Sequence, residues 1–224
     1  MQTLEPVLAA WSERLGAPLP PEALQLLAAL PEGALQVLGE ICLPQARAST
    51  RDPLTGVLSR PVLEEALAHE VASAARHGAP CLLVADLDGL TGWIERQGHL
   101  AADLLVVRLT EILTRSSRRS DVLGRLGVDQ LALVLPRTDA ARGMVVARRV
   151  LARALADLRI AERAKPGTMS NHPLLSVALV HLSEPGSVGD LLAAADVALE
   201  RARRAGGRVV ELVRDSDLPD AVPA

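Results

Sequence analysis

The stretch from Leu82 to Pro136 constrains the fold most. It opens on the apolar run Leu82-Leu83-Val84-Ala85 and turns acidic at Asp86-Leu87-Asp88. A short apolar run closed by carboxylates reads as a buried strand that delivers acid groups to a sheet edge. The stretch ends on Asp121-Val122-Leu123-Gly124-Arg125-Leu126, then Gly127-Val128-Asp129-Gln130, then Leu131-Ala132-Leu133-Val134-Leu135-Pro136. Apolar arms on both sides of Gly127–Gln130 predict a β-hairpin with an acidic tip, with Gly127 supplying the permissive backbone. Two acidic tips close in space suit a magnesium–nucleotide site. Mg2+ takes hard oxygen ligands, often only one or two carboxylates, and leaves the rest to water and phosphate.

The core that carries these tips has to be built from Leu, Val and Ala. Of the 224 residues 49% are apolar, yet Phe and Tyr are absent and Trp occurs twice. The net charge of -3 leaves no basic excess, and stacking aromatics are missing, so nucleic-acid binding is not expected. Cys42 and Cys81 are too few and too far apart for a disulfide framework or a zinc site. No run of about 18 apolar residues and no signal-peptide pattern is found, which predicts a cytoplasmic protein without a membrane span.

Residues 1–48 are rich in Leu and Ala, with Leu4, Val7, Leu8, Trp11 and Leu15 at helical spacing. They predict a helical segment serving as a cap, a dimerisation element or a docking element for a protein partner. Residues 49–214 form the main domain. A polar turn at 49–60 leads into a helix over 61–77, with Ser59 as its N-cap and Gly78 as its end. From Cys81 onward the order is β-α-α-β-β-α-β-α-β, a sheet with helices packed on it. Gly206-Gly207 marks the end of the last helix. The acidic, Pro-containing tail 215–224 is expected to fray.

This order and four short motifs resemble the GGDEF domains, whose active members are bacterial diguanylate cyclases. Asp52-Pro53-Leu54-Thr55-Gly56-Val57-Leu58-Ser59-Arg60 looks like the family's Asp-x-Leu-Thr-Gly-Leu-x-Asn-Arg. Asp86-Leu87-Asp88 with Gly98-His99 and Asp103 looks like its Asp-x-Asp…Gly-His-x-x-Gly-Asp run. Arg125-Leu126-Gly127-Val128-Asp129-Gln130-Leu131 falls where the signature Arg-Tyr-Gly-Gly-Asp-Glu-Phe stands, and Ala195-Asp196-Val197-Ala198-Leu199 with Arg203 matches the C-terminal helix. The resemblance implies an α/β palm fold of the nucleotidyl-cyclase type, with a mainly antiparallel central sheet flanked by helices. It also implies a metal set of Asp86, Asp129 and the Leu87 carbonyl, with Asp103 and Arg203 as residual nucleotide contacts.

The departures from the family pattern bear on chemistry. Val128, Gln130 and Leu131 stand where the family has Gly, Glu and Phe. A Val side chain occupies space that a Gly leaves open to phosphate, and neutral Gln is a poor proton acceptor. Ile94 stands at the guanine-reading Asn, Thr91 at a Lys, and Gly207 at an Arg beside which Arg208 is the nearest replacement. His99 reads as a hydrogen-bonded structural residue at a helix–helix corner. The motif Gly127-Val128-Asp129-Gln130-Leu131 therefore predicts no catalytic residue.

A second site is better preserved. Arg118-Arg119-Ser120-Asp121 resembles the family's Arg-x-x-Asp inhibitory site, which binds cyclic di-GMP away from the catalytic cleft. Arg118 offers a planar fork for a phosphate or a guanine edge, and Asp121 can accept from guanine N–H groups. Arg149 lies where some family members supply another arginine. The expected function is a catalytically inactive signalling protein that receives cyclic di-GMP through Arg118, Asp121 and Arg149. Such a protein requires no cofactor. The alternatives are a weak diguanylate cyclase using GTP and Mg2+, and an interaction module with no nucleotide ligand.

Overall fold

The computed structural model describes residues 50–164, 174–184 and 186–217; side chains 158–164 and 216 are excepted. The chain divides into two compact units, Met1–Thr50 and Arg51–Ala224. The expected helices of residues 1–48, and the tail beyond 217, lie outside the described residues.

The second unit begins with a turn in which the Asp52 carboxylate accepts from both the Thr55 amide N–H and its hydroxyl, at 2.8 and 2.6 Å. Helix α1 (Arg60–His77) follows, then β1 (Cys81–Asp88), α2 (Leu90–Gln97), α3 (His99–Ser116), β2 (Val122–Arg125) and β3 (Gln130–Leu135). The chain continues through α4 (Ala140–Ala164), β4 (Leu174–His181), α5 (Val188–Arg204) and β5 (Val210–Arg214). The five strands form one sheet in the order β2-β3-β1-β4-β5. Only the β4–β5 pair is parallel. A parallel pair needs a long crossover, and α5 supplies it. No helix among the described residues is long and apolar enough to cross a membrane.

The sheet is buried on both faces, which is why β1 reads as a nearly continuous apolar run. Side chains alternate across a strand. Cys81, Leu83, Ala85 and Leu87 pack with Leu109, Leu113 and Val150 from α3 and α4. Leu82 and Val84 pack with Leu63 and Leu67 of α1 and Leu191, Ala195, Ala198 and Leu199 of α5. Full burial of a Leu or Val contributes roughly 1.5–3 kcal/mol, so aliphatic layers suffice without Phe or Tyr. The alanines of α5 let it lie close to the sheet. Asp86 and Asp88 continue the even-numbered face, so they point to the side that α5 covers.

Two local expectations differ from the structure. Ser59 has the extended backbone of an N-cap but makes no capping side-chain bond to α1, where Pro61 occupies the first turn. The start of the tail is ordered: Asp215–Asp217 forms a 3-10 turn, and the Ser183 N–H donates to both Asp215 carboxylate oxygens at 3.0 and 3.1 Å.

Gly124 marks the closest approach of α1 to β2. A Cβ there would lie 2.8 Å from Leu63 Cβ and 3.0 Å from the Leu58 carbonyl oxygen. Leu63 is fully buried and cannot swing away. Gly124→Ala is therefore expected to cost about 1–3 kcal/mol by overpacking, read as a lower urea midpoint with unchanged slope.

Candidate functional site

Register brings the first acidic cluster together. Asp86 pairs with Gln130 on β3 and with Ser176 on β4. The Leu87 N–H donates to the Asp129 carbonyl at 3.0 Å, which carries the ladder past the strand end. The expected trio Asp86, Leu87 and Asp129 thus lies at one end of the sheet. The hairpin tip is closed by the Leu126 and Gly127 N–H groups, which share the Gln130 carbonyl at 3.0 and 3.2 Å.

Gly127 is not among the positive-φ residues, contrary to the expectation that it supplies a permissive backbone. Arg125 holds the tip instead. Its guanidinium donates to the carbonyls of Gly127 at 2.9 Å and Val128 at 2.8 Å, and binds the Asp52 carboxylate at 3.0 and 3.1 Å. Burial raises the Asp52 pKa, but the Thr55 bonds and the Arg125 charge outweigh burial and hold it below the usual carboxylate range. Val128 is exposed at the tip.

Asp86 and Asp88 are met by protein donors. Asp86 is only 2% exposed. Its Oδ2 accepts from Arg203 Nη2 at 2.7 Å and from Gln130 Nε2 at 2.8 Å. Arg203 Nε donates to Asp88 Oδ1 at 3.1 Å, and the Ser176 hydroxyl donates to Asp88 Oδ2. Arg203 comes from the last turn of α5, on the face that Asp86 and Asp88 share. Arg203, expected as a nucleotide contact, is held here by this internal ion pair.

Burial raises the Asp129 pKa, and the Asp86 charge adds to it; the Asp129 backbone and Arg203 oppose the rise. Burial also raises the Asp88 pKa, against the Ser176 bond. In this arrangement Asp86 Oδ2 faces a guanidinium and an amide, and both Asp88 oxygens are engaged. Among the described residues no three His, Cys, Asp or Glu side chains converge as metal ligands.

The structure does not bring Asp103 into this network. Asp103 lies half-buried on α3, in the layer on the other face of the sheet from α5. Ile94, on α2, packs against the core of that layer. Gly207 has φ 67, and a Cβ there would lie 3.0 Å from Leu174 Cβ and 3.3 Å from Asp88 Oδ2, so the position after α5 is closed to a side chain. His99 opens α3 exposed, with no hydrogen-bond partner among the described residues, unlike the structural role expected of it.

The second site sits at the other end of α3. The Arg118 N–H donates to Asp121 Oδ2 at 2.7 Å, and the Asp121 N–H donates to the Arg118 carbonyl at 3.1 Å. These bonds close the turn. The Ser120 hydroxyl donates to Asp121 Oδ1 at 3.4 Å. Asp121 therefore builds the loop as well as offering acceptor capacity. Arg118 is exposed, and its guanidinium makes no hydrogen bond or ion pair among the described residues. Arg149 on α4 reaches the same place, donating from Nη2 to the Ser116 carbonyl at 2.6 Å.

Sequence reasoning missed Ser176 and the donor role of Gln130. A polar residue within the apolar run Leu174-Leu175-Ser176-Val177 was the available signal, since buried polar groups need partners. A separate cavity of about 370 Å3 lies between α3 and α4, lined mainly by aliphatic side chains with Arg108, Glu111 and Asp157; it includes Leu87 and none of the other expected site residues.

Known proteins share this architecture. The family described as "Diguanylate cyclase, GGDEF domain" matches residues 49–208. The probable diguanylate cyclase DgcC of Escherichia coli K12 is 33% identical over 166 residues, covering 73% of this chain and 43% of its own. The chain thus spans less than half the length of that relative. A solved microbial GGDEF domain, described for a novel interaction mode with bis-(3,5)-cyclic di-GMP, is 29% identical. Its TM-score is 0.58, with 73% of this chain and 99% of that chain covered. The diguanylate cyclase SiaD of Pseudomonas aeruginosa, solved in complex with its activator SiaC, is 26% identical with a TM-score of 0.60, covering 86% and 72%. With the palm-like five-stranded sheet, its flanking helices and the family match over most of its length, the chain belongs to the GGDEF domain family of diguanylate cyclases.

Proposed function

We propose that this GGDEF domain receives cyclic di-GMP at the Arg118–Asp121 turn and does not synthesise it. The observation that carries the reading is a contrast between two arginines. Arg203 in the cleft is engaged by Asp86 and Asp88, whereas the Arg118 guanidinium stands unpartnered among the described residues on a closed turn. A preformed turn lowers the ordering cost of binding. The planar fork of Arg118 suits a phosphate or a guanine edge, and Arg149 adds a second cation at the same helix end. The relative solved with cyclic di-GMP supports this ligand class.

Synthesis needs a metal-held phosphate and a proton acceptor near the attacking hydroxyl. In this cleft Gln130 donates to Asp86 rather than accepting, and Arg203 occupies the charge that a metal would neutralise. Bound cyclic di-GMP would act by changing how residues 1–48 or a protein partner dock, in a cytoplasmic signalling role; the relative solved with its activator supports a protein partner.

Purified protein incubated with GTP and Mg2+ is expected to yield no cyclic di-GMP. Sustained product formation that Asp129→Ala abolishes would overturn the inactive reading in favour of a weak cyclase.

A further inference from the structure

The turn carrying Arg118 and Asp121 springs from the C-terminus of α3, where the last carbonyls lack partners within the helix. Two arginines of α4 supply them. Arg149 Nη2 donates to the Ser116 carbonyl. Arg153 Nη1 donates to the Arg115 carbonyl at 2.8 Å and to the Ser116 hydroxyl at 3.0 Å. Arg149 and Arg153 are one helical turn apart and so share a face of α4. Cations at a helix C-terminus also interact favourably with its dipole.

The two arginines are anchored differently. Arg153 holds both backbone and side chain of the last turn of α3, and Ser116 is only 3% exposed, so its hydroxyl depends on a protein partner. Arg149 makes a single bond among the described residues, which leaves donors to turn toward an anion. When Arg149 does so, the helix end loses one of its two fasteners.

We propose that Arg153 is a positioning residue of the cyclic di-GMP site proposed above, and the assignment rests on that reading. Arg153 fixes the end of α3, and hence the place and direction from which the turn presents Arg118, without touching the ligand. Arg149 is left to bind.

The test is calorimetric titration of the full chain with cyclic di-GMP, using wild type, Arg153→Ala, Ser116→Ala and the double variant. Arg153→Ala is expected to weaken binding about threefold to tenfold, the loss of a bond or two at a buried helix end. Ser116→Ala changes no charge and should weaken binding by a smaller factor. The double variant should bind no more weakly than Arg153→Ala alone, because the bond that Ser116→Ala removes is already lost with Arg153. Amide exchange at Arg118 should quicken in both single variants, reporting a looser turn.

If wild type binds and the arginine variant binds equally well, the positioning role is wrong while the receptor reading stands. If the arginine variant weakens binding but neither variant quickens exchange at Arg118, Arg153 acts only as a charge and the assignment fails. Should Arg153→Ala not fold, Ser116→Ala decides alone by the same two readouts. If wild type does not bind, the receptor reading falls and takes this assignment with it.

Discussion

Replacing Arg203 by alanine is expected to remove about 2–3 kcal/mol of stability near neutral pH, with a smaller loss in acid. The reason is what remains behind. Asp86 is almost fully buried and would keep only the Gln130 amide on its Oδ2, while Asp88 would keep the Ser176 hydroxyl. Breaking a buried pair from one side typically costs about 3–5 kcal/mol. The Arg203 side chain is 40% exposed, so solvent already screens part of the attraction and the smaller figure applies.

The pH dependence follows from Asp88 and Asp129. Burial raises both folded-state pKa values above the ordinary 3.8, and Arg203 opposes the rise. Between 3.8 and the raised values the folded state binds more protons than the unfolded state, so each group's contribution to stability falls as pH rises through that window. Without Arg203 both values rise further and the penalty at neutral pH grows. Protonation in acid relieves it, so the gap between wild type and variant narrows as pH falls toward about 4. Denaturant titrations across this range check the point. A gap that stays constant with pH, or no loss at all, would mean that Arg203 does not neutralise the cleft.

Arg118→Ala is expected to weaken cyclic di-GMP binding by on the order of tenfold or more, with stability unchanged. Hydrogen bonds to charged groups contribute about 1.5–3 kcal/mol, and about 1.4 kcal/mol is a factor of ten. The Arg118 side chain is exposed and supports nothing else among the described residues, so its loss should be read in binding alone. Asp121→Ala should also weaken binding and reduce selectivity over cyclic di-AMP. Part of that effect comes from the turn, which loses the acceptor of the Arg118 N–H.

Asp86 is a poor control for the cleft because it is buried and ion-paired. Asp103→Ala, which removes a half-buried carboxylate of α3 outside both the cleft network and the Arg118 turn, is the control used instead and should leave cyclic di-GMP affinity unchanged.

The fold was legible because its signals were local and mutually consistent. The apolar run of β1, the paired arms of the hairpin and the glycines after α5 each name an element, and their order matches the sheet observed. Residue identity also placed Asp86, Leu87 and Asp129 at one end of the sheet. What sequence did not reveal depends on contacts between distant segments.

Arg203 lies 117 residues from Asp86, and only the alternation of β1 together with the packing of α5 brings them together. Gln130 looks like a lost charge until register sets it opposite Asp86, where its amide becomes a donor. Gly127 looks like a turn glycine, yet Arg125 holds the tip through its carbonyls. Arg153 carries no signal in the sequence, and its role emerges only when α4 is seen to lie against the end of α3.

The most direct test of the receptor reading is calorimetric titration of the full chain with cyclic di-GMP, run beside Arg118→Ala and Asp103→Ala. Saturable binding by wild type is expected, weakened in the first variant and kept in the second. Absence of binding at high micromolar ligand would contradict the reading and favour an interaction module without a nucleotide. Binding that survives Arg118→Ala but is lost in Asp103→Ala would contradict it too, by placing the ligand away from the Arg118 turn.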